Sequence, residues 1–266
     1  MIARSRSGIA PEMLTAHTGR APSAGPTPSA GPKPPAAPKP PRIREGQCHD
    51  APPRAFAEEG TWSEEGEWDV FADSIRENGC TDTRFAGAEA LDGHPTEGVD
   101  FTCCVFDGCV SQDSSFCDAT FTDTVFRGCD FSNADFSRAN FERCSFSDCC
   151  LRGAAFAEAG LMDVQLERCS LDYCAFYQAL FKRCALQDSS LSGASLDECD
   201  FAALGLRGVK LADTEICRTP LDGVDLSDCE LSGMRFSAGA PELRGAIVNR
   251  EQAADLAALL GVKIAQ

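Results

Sequence analysis

From Phe101 onward a large apolar residue returns at every fifth position: Phe101, Phe106, Phe116, Phe121, Phe126, Phe131, Phe136, Phe141, Phe146, Leu151, and on to Phe236. Of the 28 positions in this register, 14 are Phe, 12 are Leu and one is Ile216, while Ser111 alone is polar. The residue two places earlier is small in nearly every unit: ten Cys, seven Ala, four Val, three Thr and two Ser, with Leu204 and Met234 as the exceptions. Neither the helical period nor the strand period matches a spacing of five. A fixed self-similarity over 99–239 predicts a solenoid.

The spacing also predicts the coil. Two inward side chains flanking one outward residue are what a short extended segment gives, and the two residues that follow turn a corner. Four such sides make a coil of twenty, so 28 units make seven coils. At a strand spacing of ~4.8 Å they stack into a rod of roughly 34 Å. The predicted fold is therefore an all-β solenoid whose interior bounds the size of every inward residue.

Cysteine usage follows from this register. Ten of the sixteen thiols occupy the small inward position, where Cys is a compact apolar filler. Cys48, Cys80, Cys103, Cys117, Cys150 and Cys217 lie off it. Neither Cys103-Cys104 with Cys109 nor Cys149-Cys150 has a second spaced cysteine pair or a nearby His, so no metal is expected. Disulfides are not expected in the reducing cytoplasm, the predicted compartment. No apolar run approaches a membrane span, and no sustained apolar stretch follows Arg4 and Arg6.

The flanks obey other rules. Residues 1–44 hold ten of the fifteen prolines and are expected to form a disordered Pro/Ala-rich tail, a spacer in extended or polyproline II geometry. Residues 45–98 carry 14 acids against 3 bases and are expected to be an acidic cap or linker segment at one end of the solenoid, with an acidic, aromatic docking motif for a partner as the alternative. Within them Trp68, Phe71, Ala72 and Ile75 fit a short amphipathic helix. Residues 240–266 leave the repeat for a C-terminal capping and dimerisation helix. Asn249 and Gln252 have capping-pair spacing, Gly261 fits the stop, and Ala253, Leu256, Ala257 and Leu260 form one stripe.

Units such as CDFSN-ADFSR-ANFER-CSFSD at 129–148 resemble the pentapeptide-repeat family. The resemblance implies a right-handed quadrilateral β-helix. The terminal helix and the uninterrupted repeat look like those of gyrase-interacting members, the quinolone-resistance and albicidin-protection proteins. That likeness implies a homodimer through Ala253, Leu256, Ala257 and Leu260, and an acidic rod that mimics DNA toward DNA gyrase.

Charge is consistent with such a partner and excludes others. The chain carries −17, and 99–239 holds 23 acids against 11 bases. Nucleic acid and anionic lipid would be repelled as direct ligands. The four sides share the acids evenly, and the densest run is Asp213, Glu215, Asp222, Asp225, Asp228 and Glu230, the candidate partner-binding surface. DNA has one charge per ~1.7 Å, so mimicry is partial. His17, His49 and His94 all fall outside the repeats, and no nucleotide-binding loop is present. No catalytic residue or cofactor is assigned. Two functions remain: a non-enzymatic topoisomerase-binding rod, or a protein-interaction scaffold with another partner.

Overall fold

The computed structural model describes residues 36–43, 48–50, 77, 79–87, 96–259 and 261–263. Each coil has four five-residue sides. Two sides carry short strands, Asp100–Thr102 and Val105–Asp107 in the first coil, which pair in parallel with Thr120–Thr122 and Val125–Arg127. The other two sides meet their neighbours through single bridges such as Val110↔Asp130 and Ser115↔Asp135. Within the repeats the register is one of twenty residues: Phe101, Phe121, Phe141, Leu161, Phe181 and Phe201 lie one above another. The result is a parallel β-solenoid of about seven coils.

Nearly all the corners share a left-handed residue. From Cys103 to Gly233 every fifth residue except Asp228 has positive φ. At Phe131–Ala134 the turn closes with the Ala134 N–H on the Phe131 carbonyl at 3.1 Å, with Asn133 left-handed at its third position. The left-handed residue sends its own N–H to the next coil, as Asn133 does to Arg152 O at 2.8 Å. That bond offsets the ~1 kcal/mol or more that a side chain incurs in this conformation.

Inward rings stack at the coil spacing. Phe101, Phe121 and Phe141 are parallel with centroids 5.0 and 4.9 Å apart. The column of Phe116, Phe136, Phe156 and Phe176 repeats this at 4.9, 5.1 and 4.9 Å. Leu predominates beyond Phe146, and its smaller side chain leaves a narrow axial channel of about 30 Å³ lined by Phe, Leu and Ile. So apolar a channel excludes water. The small inward residue does more than fill space. Cys144 Sγ donates to Phe121 O at 3.3 Å and Cys184 Sγ to Leu161 O at 3.2 Å, as Thr214 Oγ1 does to Leu191 O at 2.9 Å. All sixteen thiols are free.

The ladder continues beyond both ends of the perfect register. Cys80 pairs with Phe101 and Phe85 with Phe106, one residue out of the twenty-residue step. His49–Asp50 in turn pairs with Thr83 and Arg84. At the far end Leu243, Ala246 and Val248 pack on the core, and Ile247 bridges Asp225. Helix α1, Arg250–Leu259, then closes the last coil. The expected helix of Trp68, Phe71, Ala72 and Ile75 lies outside the described residues.

Candidate protein-binding surface

Because side chains twenty apart stand one above another, an acid at position n meets a base at n+20. Asp118–Arg138, Asp123–Arg143, Asp148–Arg168 and Glu198–Arg218 are ion pairs of this kind, with Arg Nε to carboxylate distances of 2.8, 2.7, 2.7 and 2.7 Å. Asp163–Arg183 at 2.5 Å is the fifth. Both members of all five sit at left-handed corners, where the side chains point along the rod's outer edge. Glu215–Arg235, at 3.1 Å, is a sixth pair at a different position. The signal was available in the sequence as acid and base twenty apart, but summing acids side by side does not reveal it.

The six acids singled out from the sequence do not share one side. Winding distributes them: Asp222 lies on one side, Asp225 and Asp228 on the next, Asp213 and Glu230 on the third, Glu215 on the fourth. Five are exposed, and none of those five is in an ion pair among the described residues. Glu215 is half-buried and neutralised by Arg235. Asp225 accepts the Ser227 N–H at 2.9 Å, and Asp228 the Gly208 N–H at 3.1 Å. Ion pairs thus neutralise some acids along the middle of the rod and leave others, such as Asp113, Glu158 and Asp188, open, while the exposed acids without an ion pair among the described residues lie closest together between Asp213 and Glu230.

Residues 96–176 and 119–196 match the family model described as a pentapeptide repeat region. The chain carries a pentapeptide-repeat domain. No curated protein is significantly similar in sequence. Among solved structures, trypsin-treated QnrB1, a plasmid-mediated fluoroquinolone resistance protein, is 19% identical, covering 70% of this chain and 99% of that one at a TM-score of 0.35. HetL, a pentapeptide repeat protein involved in heterocyst differentiation regulation from the cyanobacterium Nostoc, is 17% identical over 68% and 94% at 0.28. A pentapeptide repeat protein from the Arabidopsis thaliana thylakoid lumen is 18% identical over 51% and 70% at 0.26. These likenesses are of fold alone.

At the end of the pentapeptide-repeat rod, α1 directs two residues onto the last coil. Asn249 and Gln252 cap reciprocally, Asn249 N–H to Gln252 Oε1 at 2.8 Å and Gln252 N–H to Asn249 Oδ1 at 2.9 Å. Gln252 Nε2 also donates to Leu226 O and Cys229 O at 2.8 and 2.7 Å. Gly261, with φ of 75°, ends the helix: its N–H meets Ala258 O and that of Val262 meets Ala257 O, a Schellman pair. Of the proposed dimer stripe, Leu256 is buried within the protomer, Ala257 is half-buried and Ala253 is exposed. Leu260 lies outside the described residues. Leu259 and Val262 are the large apolar side chains left exposed here, at 59% and 54%. Beside Leu259 a cleft of about 450 Å³ opens between helix and coil, lined by Leu231, Met234 and Leu256 with Glu230 and Asp255 at its rim.

Burial pushes the Cys144, Cys174 and Cys184 thiols up to about 12, so they are inert fillers at neutral pH. Asp197, Glu215 and Cys217 bring three potential metal-ligand atoms within 4.8 Å of one another. Asp197 already accepts the Cys217 N–H at 3.0 Å, and Glu215 is held by Arg235. No helix among the described residues is long and apolar enough to cross a membrane.

Proposed function

We propose that this chain is a non-enzymatic binding rod whose C-terminal coils dock into a basic, DNA-accepting groove of a protein partner, with DNA gyrase or a related type II topoisomerase as that partner. The observation that carries the reading is the close spacing of unpaired carboxylates around the C-terminal coils. Five corner acids of the middle coils are neutralised by Arg one coil away, whereas Asp213, Asp222, Asp225, Asp228 and Glu230, all within eighteen residues, stand without ion pairs among the described residues. Unpaired carboxylates around a convex end fit a concave basic surface. Two copies joined beside Leu259 and Val262 would bring two such ends together, which extends the acidic rod. A second reading, a scaffold for a different partner, is favoured by the exposed Tyr173 and Tyr177, with Arg152 packed 5.1 Å over the Tyr173 ring.

Gyrase supercoiling assays, with and without a cleavage-stabilising quinolone, separate the two. The wild-type chain should alter supercoiling or relieve the drug at micromolar concentration. Asp222, Asp225 and Asp228 changed together to Lys should weaken that effect about tenfold, because the complementary field is reversed. Reversal of Asp113, Glu158 and Asp188, which are exposed and outside the ion-pair ladder, should matter less. No effect of the wild type on the enzyme or the drug removes the topoisomerase reading and leaves the scaffold.

A further inference from the structure

Residues 36–43 belong to the Pro-rich segment expected to be a spacer, yet they lie along one edge of the solenoid. The sequence there is Ala36, Ala37, Pro38, Lys39, Pro40, Pro41, Arg42, Ile43. Between Pro38 and Arg42 just two residues have a backbone N–H, and both donate to corner carboxylates. Lys39 N–H meets Asp163 Oδ1 at 3.2 Å, and Arg42 N–H meets Asp123 Oδ1 at 3.1 Å. Gln165 Nε2 donates to the Pro38 carbonyl at 3.4 Å. Pro38 and Pro41, three apart, are half-buried, as is Ile43, while Lys39, Pro40 and Arg42 are exposed.

The pitch of the two partners explains the fit. A polyproline II helix turns once in three residues and rises ~3.1 Å per residue, so three residues advance ~9.3 Å. Asp163 and Asp123 are two coils apart, ~9.6 Å at a strand spacing of ~4.8 Å. The N–H of every third residue in the segment therefore meets every second coil of the rod. Polyproline II makes no internal hydrogen bonds, which leaves those N–H groups available.

The receiving side is equally ordered. Arg143 holds Asp123 with a fork, Nε to Oδ1 at 2.7 Å and Nη2 to Oδ2 at 2.9 Å. Arg183 holds Asp163 through Nε to Oδ1 at 2.7 Å and Nη2 to Oδ2 at 2.5 Å. Each carboxylate is thus aimed before the peptide N–H arrives. The other ladders provide an internal comparison. Asp118 and Asp148 make the same fork on other corners and leave 57% of each side chain exposed, against 9% for Asp123 and 2% for Asp163.

We propose that the corner column of Asp123, Arg143, Asp163 and Arg183 is a binding track for polyproline II peptides, with the chain's own residues 38–42 as its resident ligand. It reads main-chain donors at a spacing of three, so the ligand class is a Pro-rich strand with non-proline residues three apart. Attachment in the same chain gives the resident segment an effective concentration of millimolar order, against which a free peptide competes poorly.

The test uses the full chain and one doubly substituted form, Lys39→Pro with Arg42→Pro, which deletes both donors while keeping φ suited to polyproline II. In the wild type, the Lys39 and Arg42 amides should exchange with deuterium at least tenfold more slowly than in the blocked peptide Ala-Ala-Pro-Lys-Pro-Pro-Arg-Ile. By fluorescence anisotropy, that peptide should bind the doubly substituted chain and bind the wild type at least tenfold more weakly. The same peptide with proline at both donor positions should bind neither. Free-peptide exchange at both wild-type amides, no binding to the substituted chain, or equal binding of the two peptides would overturn the proposal. Sedimentation of both chains identifies the owner of the segment. An unchanged mass supports the same chain, and a wild-type dimer that dissociates on substitution shows a second copy and overturns the resident assignment.

Discussion

The corner residue is where chemistry and geometry disagree most. Asn, Asp, Arg, Glu, Gln and Tyr all adopt positive φ at these sites, yet a side chain there is disfavoured by ~1 kcal/mol or more. Ala203, with φ of 74°, has neither a polar side chain to offset this nor glycine's freedom. Ala203→Gly should therefore stabilise the fold by about 1 kcal/mol, seen as a higher urea midpoint at unchanged slope. An unchanged or lower midpoint would mean that the corner carries no such strain. Inward positions were legible from the sequence because a narrow tube bounds their size. Corners were not, since the inter-coil N–H bond lets many residue types occupy one conformation. Ser111 breaks the inward pattern in the structure too: it is buried with no partner for its hydroxyl among the described residues.

Among the elements, α1 shows how far a local pattern reaches. The spacing of Asn249 and Gln252 revealed the cap, because both partners lie within one turn. It could not reveal that Gln252 Nε2 binds carbonyls 26 and 23 residues upstream, at Leu226 and Cys229. Gln252 therefore fastens the helix to the rod as well as starting it. Gln252→Leu should destabilise the chain by about 2 kcal/mol, since it removes a cap and takes the side-chain donor from Cys229 O, while Leu226 O keeps the Cys229 N–H at 2.9 Å. Urea unfolding followed by far-ultraviolet circular dichroism gives the answer, and a loss below a few tenths would reduce Gln252 to an ordinary surface residue. The apolar stripe was legible, but not its destination. Leu256 packs within the protomer, so an oligomerisation test belongs at Leu259, where a change to Glu leaves the cap intact.

For the whole molecule, twenty residues is the unit that joins fold and electrostatics. The Arg one coil away holds the Asp118, Asp148 and Asp163 carboxyls below their ordinary range, and Arg143 does the same for Asp123 against the opposing effect of burial. A depressed carboxylate stabilises the fold above its ordinary pKa, and that contribution is lost as pH falls through the depressed value. The urea midpoint should thus be nearly flat from pH 7 to about 5 and fall steeply below about 4. A midpoint that holds steady down to pH 3 would show that the ladder adds nothing to stability. Solenoids commonly vary by gaining or losing whole repeats, because each coil contacts its neighbours alone. Here the Pro-rich segment acts as a vernier laid against the coils, three residues to two divisions. One extra coil between Asp123 and Asp163 would be invisible to the core yet would leave one of the two carboxylates beyond the segment's reach. In this stretch the rod can change length in steps of forty residues if the segment lengthens by three, and a step of twenty breaks the match.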